Sequence, residues 1–136
     1  MTENDIALIR ETFAHLHRRK TETARIFYDR LFEIAPEVRP LFKGDIKAQG
    51  AKLMETLLVA IATLNDRPGL TILLEKLGRG HRDYHVEPRH YDNVGAALIW
   101  TLQTSLGDGF TPAVERAWTS LYADIAATMI GAAKAA

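Results

Sequence analysis

Hydrophobic residues recur along this chain with the 3.6-residue period of an α-helix, and no apolar–polar alternation of period two persists for long. Ile6, Ile9, Phe13 and Leu16 form the first stripe, opened by Thr2 as N-cap with Asp5 three residues on. Ala24, Phe27, Leu31 and Ile34 form a second, starting near Thr21. Pro36 ends it and begins a short helical turn, PEVRPLF, that Pro40 keeps short. KGD follows as a loop, with Asp45 as the next N-cap. A long helix then runs through Ile46, Gly50, Leu53, Leu57, Ile61 and Leu64 until NDRPG breaks it. Leu70, Leu73, Leu77 and His81 continue the period towards Pro88, which starts a helix striped by Tyr91, Val94, Leu98, Leu102 and Leu106. GDG closes that helix, and Thr111 with Pro112 makes an N-cap and first-position pair for the last one, through Val114, Trp118, Leu121, Ile125 and Met129. GAAKAA is expected to fray. The pattern predicts an all-α fold of about seven helices in one domain over residues 1–136. Unequal lengths and the corner at PEVRPLF argue for a layered core rather than an up-down bundle.

Composition narrows the function classes. At 136 residues the chain buries a real core, and 47% hydrophobic with 25% charged residues is ordinary for a soluble globular protein. Lys plus Arg and Asp plus Glu both number 17, so no net field draws it to nucleic acid or an anionic membrane. With no cysteine, disulfides, thiolate catalysis and iron–sulfur ligation are excluded, which fits a reducing cytoplasm. The start MTENDIALIRETF has no signal-peptide pattern, and no apolar run approaches the ~18 residues that span a bilayer. A soluble cytoplasmic protein is expected.

The stretch LGRGHRDYHVEP (77–88) carries the chemistry. His81 shares a helix face with Leu74 and Leu77 and is expected to point inward. Glu87 precedes a proline and is driven to extended geometry, so the helix is expected to end around Tyr84 and leave His85 in the corner. An inward imidazole is either a hydrogen-bonded core residue or a ligand. Gly78 and Gly80 each cost roughly 1 kcal/mol against alanine inside a helix, which means a loosened helix end or a flat partner needing close approach. No second ligand falls in phase for a zinc site, and His15 and His17 read as surface residues of the first helix. A lone histidine in apolar surroundings suits a metal that brings its own equatorial ligands, as haem iron does.

Four segments, in order and with matching gaps, resemble one family: FYDRLFEIAPEVRPLF (27–42), QGAKLM (49–54), LGRGHRDYHVEPRHYDNVG (77–95) and AWTSLYADIA (117–126). Together they are similar to the single-domain bacterial haemoglobins, the free-standing counterparts of the globin domain in flavohaemoglobins, over nearly the whole chain. The resemblance implies a globin fold of seven to eight helices around a haem b (iron protoporphyrin IX) pocket. His81 matches the proximal iron ligand, with Leu77 packing on the same porphyrin face, Phe42 wedging the haem, Val86 closing the proximal edge and Tyr91 beside the histidine. Tyr28 and Gln49 match the distal residues that face bound gas, and Leu53 would crowd the sixth coordination position. Arg79 or Arg82 is the expected partner of a propionate. A phenol O–H is a good donor to bound dioxygen, so tight oxygen binding is expected, as is binding of CO and NO. A distal glutamine coordinates iron poorly, so the reduced haem is expected to be five-coordinate.

The chain departs from the flavohaemoglobin pattern at one point. Where the family has a glutamate in a network with the proximal histidine and tyrosine, this chain has Ala133. Without that acid the electron push onto iron is expected to be weaker. No flavin or nicotinamide segment follows, so sustained nitric oxide turnover would need a separate reductase. The expectation is therefore a reversible oxygen binder, for transport or scavenging. The alternative is a nitric oxide dioxygenase or weak peroxidase served by an external reductase. A sensor, lacking an output domain, ranks below both, and a helical bundle with no cofactor ranks last.

Overall fold

Side-chain caps start the helices where the sequence predicts. The Thr2 hydroxyl accepts the Asp5 N–H at 3.1 Å, and the Asp5 carboxylate accepts the Thr2 N–H at 2.9 Å. Asp45 Oδ1 accepts the Lys47 N–H at 3.0 Å, and Thr111 Oγ1 accepts the Val114 N–H at 3.2 Å. The resulting computed structural model describes residues 1–83 and 86–134. It contains α1 (Glu3–His17), α2 (Lys20–Ile34), α3 (Ile46–Ala62), α4 (Arg67–Asp83), α5 (Pro88–Leu106) and α6 (Pro112–Lys134). Two 3-10 segments, Pro36–Leu41 and Gly107–Gly109, turn the chain. Gly44 and Gly107 hold positive φ (91° and 53°) at the loops after the first corner and after α5, where a side chain would be strained. Among the described residues there is no strand, and no helix is long and apolar enough to cross a membrane.

The predicted stripes become the core. Ile9, Phe13, Met54, Leu70, Leu102, Trp118 and Leu121 are buried in one cluster, while Phe27, Tyr28, Leu31, Val38 and Ala97 form a second. Leu98 of α5 packs against both. Two buried polar groups are satisfied across helices: Trp118 Nε1–H donates to Thr12 Oγ1 at 2.9 Å, and Thr23 Oγ1 donates to the Leu16 carbonyl at 3.0 Å. Helix α4 packs on α6, whereas α3 packs on α2 and α1. The two helices are thus held by different parts of the body.

Two of these crossings need glycine. A Cβ on Gly50 of α3 would stand 2.8 Å from the Cβ of Ala24 on α2. A Cβ on Gly78 of α4 would stand 2.7 Å from the Cα of Met129 on α6. Gly78 thus serves a close helix approach, but the neighbour is α6 backbone. Around Gly80 nothing lies within 4 Å.

The ends differ slightly from expectation. Leu64 lies beyond α3 in the following turn yet is buried. The last helix runs on to Lys134 without fraying at Gly131, because alanines favour helix and Ala132 is buried. The expected helix end at Tyr84 and the corner residue His85 lie outside the described residues.

The two glycines of α4 make opposite predictions. Gly78→Ala overpacks the α4–α6 contact and should lower stability by about 1–3 kcal/mol. Gly80→Ala meets open space and should raise it by about 0.5–1 kcal/mol. Urea unfolding of the two variants decides: midpoints moving in the same direction would refute the close-approach account.

Candidate functional site

The residues singled out in the sequence fall into two groups on either side of Leu98. In the first, Tyr28 is buried on the inner face of α2, one turn from Phe32 and Ala24. Its ring meets Phe27 edge-on at 5.1 Å, stacks on Phe32 at 5.8 Å and meets Phe42 edge-on at 5.3 Å. Phe42 follows the Pro36–Leu41 corner, half-buried, and Leu53 of α3 packs on the same cluster. Gln49 lies one turn before Leu53 and is half-buried. Gly50 sits between them, and its contact with Ala24 sets how near α3 lies to Tyr28. Among the described residues, neither the Tyr28 hydroxyl nor the Gln49 amide has a hydrogen-bond partner.

The second group lies at the end of α4. The His81 Nδ1–H donates to the Leu77 carbonyl, one turn back, at 2.7 Å. A carbonyl only accepts, so this bond fixes the proton on Nδ1 and leaves the Nε2 lone pair of the neutral ring available. The imidazole stands 6.2 Å from the Tyr91 ring, tilted by 34°. Leu77 and Val86 are half-buried and pack against the cluster that holds Tyr91. The Val86 N–H donates to the His81 carbonyl at 3.0 Å, closing the turn beyond the helix.

Two expectations need correction. His81 is exposed, not inward in a core. It does share the face of Leu74, which is buried, and of Leu77. The last turn of α4, however, runs past the Gly78 contact that pins the helix to α6, into the open space around Gly80. His17 is not a free surface residue either. Its ring lies 5.7 Å from Phe13, and its Nε2, sealed from solvent, is 3.5 Å from a Glu55 carboxylate oxygen.

Sequence reasoning passed over Tyr122 and His90. The Tyr122 hydroxyl donates to the Tyr91 carbonyl at 2.6 Å, and its ring fills the space that a Cβ on Gly95 would take. Tyr122 lies inside the AWTSLYADIA segment, where it reads as one more aromatic on the last helix. His90 is buried, and its Nδ1 accepts the Glu87 N–H at 2.9 Å, capping α5. The cue was its position three residues after Glu87, across Pro88.

Tyr91 is electrostatically unusual: its hydroxyl is sealed from solvent and has no partner. Ala133 of α6 offers none, and among the described residues nothing else does. Burial pushes the Tyr28 phenol up to about 12 and raises Tyr91 as well. Tyr122 is raised by burial first, then by neighbouring Tyr91 and Asp92. All three are therefore neutral donors across the physiological range. Among the described residues no three His, Asp or Glu side chains converge to hold a bare metal ion.

These shifts carry a pH signature. A phenol whose folded pKa is raised contributes stability that is full below its ordinary value of 10.0 and is lost as pH climbs towards the folded value. The unfolding free energy should therefore fall between pH 10 and about 12. Tyr28→Phe should remove on the order of 2 kcal/mol of that fall. Urea titrations at stepped alkaline pH measure it, and parallel curves for the two proteins would contradict the buried-phenol assignment.

Comparison with known proteins bears on this arrangement. The Globin family model matches residues 25–129, from α2 into the last turns of α6. The chain is 30% identical to a neuroglobin of Chaenocephalus aceratus, with 95% of this chain and 90% of that protein covered. It is also 30% identical to a flavohemoprotein of Bacillus subtilis and 29% identical to one of Vibrio cholerae. There the match takes 95% and 96% of this chain but only 33% and 34% of those longer proteins. With six helices enclosing paired aromatic and histidine groups, and a family match over most of its length, the chain belongs to the globin family and is a haem-binding globin.

Proposed function

We propose that the chain is one globin domain over residues 1–136 that holds haem b through His81 and reversibly binds dioxygen, CO and NO with high affinity. Phe42, Leu53, Leu77, Val86 and Tyr91 would contact the haem, and Tyr28, Gln49 and Leu53 would form the ligand side. When bound, haem supplies the iron that takes the diatomic gas; the rest of the function belongs to side chains. The residues present fit such a group. His81 is the right donor, an imidazole whose Nδ1–H is committed to Leu77, which leaves Nε2 as the nitrogen oriented to take iron.

The observation that carries the reading is the Tyr28 hydroxyl. A phenol packed among Phe27, Phe32 and Phe42, with no hydrogen-bond partner among the described residues and not sealed from solvent, keeps its O–H free to donate to an incoming acceptor. Its pKa of about 12 keeps the proton on it, so it can only be completed well by an acceptor. Dioxygen in a globin pocket carries partial negative charge and is such an acceptor. A charge-assisted bond of this kind is worth about 1.5–3 kcal/mol. At 1.4 kcal/mol per decade that is roughly ten- to hundredfold in affinity, mostly through slower release.

The flavohemoprotein relatives support a second reading, nitric oxide dioxygenation or weak peroxidation with a separate reductase. The Tyr91 hydroxyl favours the binder: among the described residues no acid is hydrogen-bonded to it to form a network behind His81. Stable consumption of nitric oxide beyond one equivalent, in the presence of a reducing system, would turn the assignment to the enzyme.

Three spectra test the proposal. The purified protein supplied with haem should take it up stoichiometrically, give a five-coordinate reduced spectrum and form a stable oxy form. His81→Ala should lose the proximal ligand and with it tight haem retention. Tyr28→Phe should keep haem but release oxygen ten- to hundredfold faster in stopped flow, on the estimate above. An unchanged off-rate would remove Tyr28 from the ligand site, and a sharp low-spin reduced spectrum would overturn the open sixth position.

A further inference from the structure

Outside the haem site, α1 and α3 leave between them a groove of about 520 Å³. The stripes that line it come from one face of each helix. On α1 these are Arg10, Phe13, His17 and Arg18, spaced by three, four and one residues, and on α3 they are Leu58 and Ile61. Phe13 and Ile61 are buried and make the floor, while Leu58 is 39% exposed on the wall, so apolar surface is open to solvent there. The volume lies in the range of small-molecule sites.

Charge gives the groove a direction. Three basic side chains line it and no acid does. Their commitments differ. Arg10 Nη2–H donates to the Ile61 carbonyl at 3.4 Å, which lays its guanidinium over the end of α3 and its methylenes along the groove. His17 is occupied by Phe13 and by Glu55. Arg18, at the other end of the α1 stripe, has no hydrogen-bond or ion-pair partner among the described residues. Eight residues separate Arg10 from Arg18, about 12 Å along a helix. An apolar trough of that length with one uncommitted guanidinium at its end complements a particular shape: an aliphatic chain carrying a single carboxylate.

We propose that this groove binds a medium-chain fatty acid, with the chain on Phe13, Leu58 and Ile61 and the carboxylate on Arg18. The guanidinium fork presents two parallel N–H donors to a carboxylate, a geometry that a hydroxyl head group cannot use. The site is independent of the haem assignment, since none of its lining residues belongs to the proposed haem site.

The probe is sodium decanoate, titrated by calorimetry into the haem-loaded protein while the Soret band is recorded. One equivalent should bind with the Soret band unmoved. Decanol, with the same chain and no charge, should bind at least tenfold more weakly. Arg18→Gln should weaken decanoate about tenfold, the loss of roughly one charge-assisted bond. Ala14→Trp, a change at an exposed position on the groove wall, should block it. Should the tryptophan disturb α1 by circular dichroism, the comparison of Arg18→Gln with decanol carries the decision. Equal binding of decanol and decanoate, or decanoate affinity unchanged by Arg18→Gln, overturns the proposal. So does binding that shifts the Soret band, because the acid has then entered the haem site, or the absence of saturable binding below the micellar concentration. Association with anionic phospholipid vesicles alone would make the face a membrane contact and refute it too.

Discussion

The approach of α4 to α6 at Gly78 is the contact on which the geometry of the histidine depends. Helix packing normally keeps axes 8–10 Å apart because side chains intervene. At Gly78 the α6 backbone at Met129 occupies the place where a side chain would be, so α4 is fixed in depth and rotation at one point. His81 lies three residues beyond it, just under one turn, beside the Tyr91 ring of α5. Its own backbone supplies the remaining constraint, through the Leu77 carbonyl that orients the ring. The same device recurs on the other side: Gly50 seats α3 on Ala24 of α2 and so sets Leu53 against the cluster that holds Tyr28. Two glycines thus position two walls that do not rely on each other for support. A site that must admit a large planar group needs walls of that kind, held from behind and not across the gap.

Much of this was legible in the chain, for a physical reason. The 3.6-residue stripes, Thr2, Asp45 and Thr111 as caps, and the prolines at helix starts are local signals, and local signals decide helix boundaries. Grouping Tyr28 with Phe42 and Leu53, and His81 with Leu77, Val86 and Tyr91, came through the family resemblance, because no local rule says which stripe meets which. Exposure was what the pattern misjudged. His81 has the phase of a core residue, yet it is exposed, next to a Gly80 position that meets open space. The long-range polar contacts were equally invisible: Tyr122 to the Tyr91 carbonyl joins residues 31 apart, and Trp118 to Thr12 joins residues 106 apart. His17 was read as solvated because nothing in its neighbourhood announces that Glu55 comes to meet it.

The two buried phenols show how one desolvation penalty can serve different ends. Tyr91 and Tyr28 are both raised by burial, and neither has a hydrogen-bond partner for its hydroxyl among the described residues. Of the two, only the Tyr91 hydroxyl is fully sealed from solvent. An unsatisfied hydroxyl that is sealed is a standing cost of about 1–3 kcal/mol with no later return. One that keeps access to solvent can be hydrated, carries no such standing cost and is free to trade water for a better acceptor. That difference is why the proposed ligand contact falls on Tyr28 and not on Tyr91.

That contrast also bears on how hard the histidine can push. An imidazole gains basicity when the group behind it accepts its proton strongly; a carboxylate does so, and a main-chain carbonyl does so less. Here the acceptor is the Leu77 carbonyl, and the neighbouring Tyr91 hydroxyl is hydrogen-bonded to no carboxylate among the described residues. Under the proposed haem assignment, a histidine held by a carbonyl and not by a carboxylate would favour holding a diatomic ligand over splitting one. On the proposed ligand side, a Tyr28 donor would slow release, so the two walls would act in the same direction: little push behind the histidine and retention in front of it.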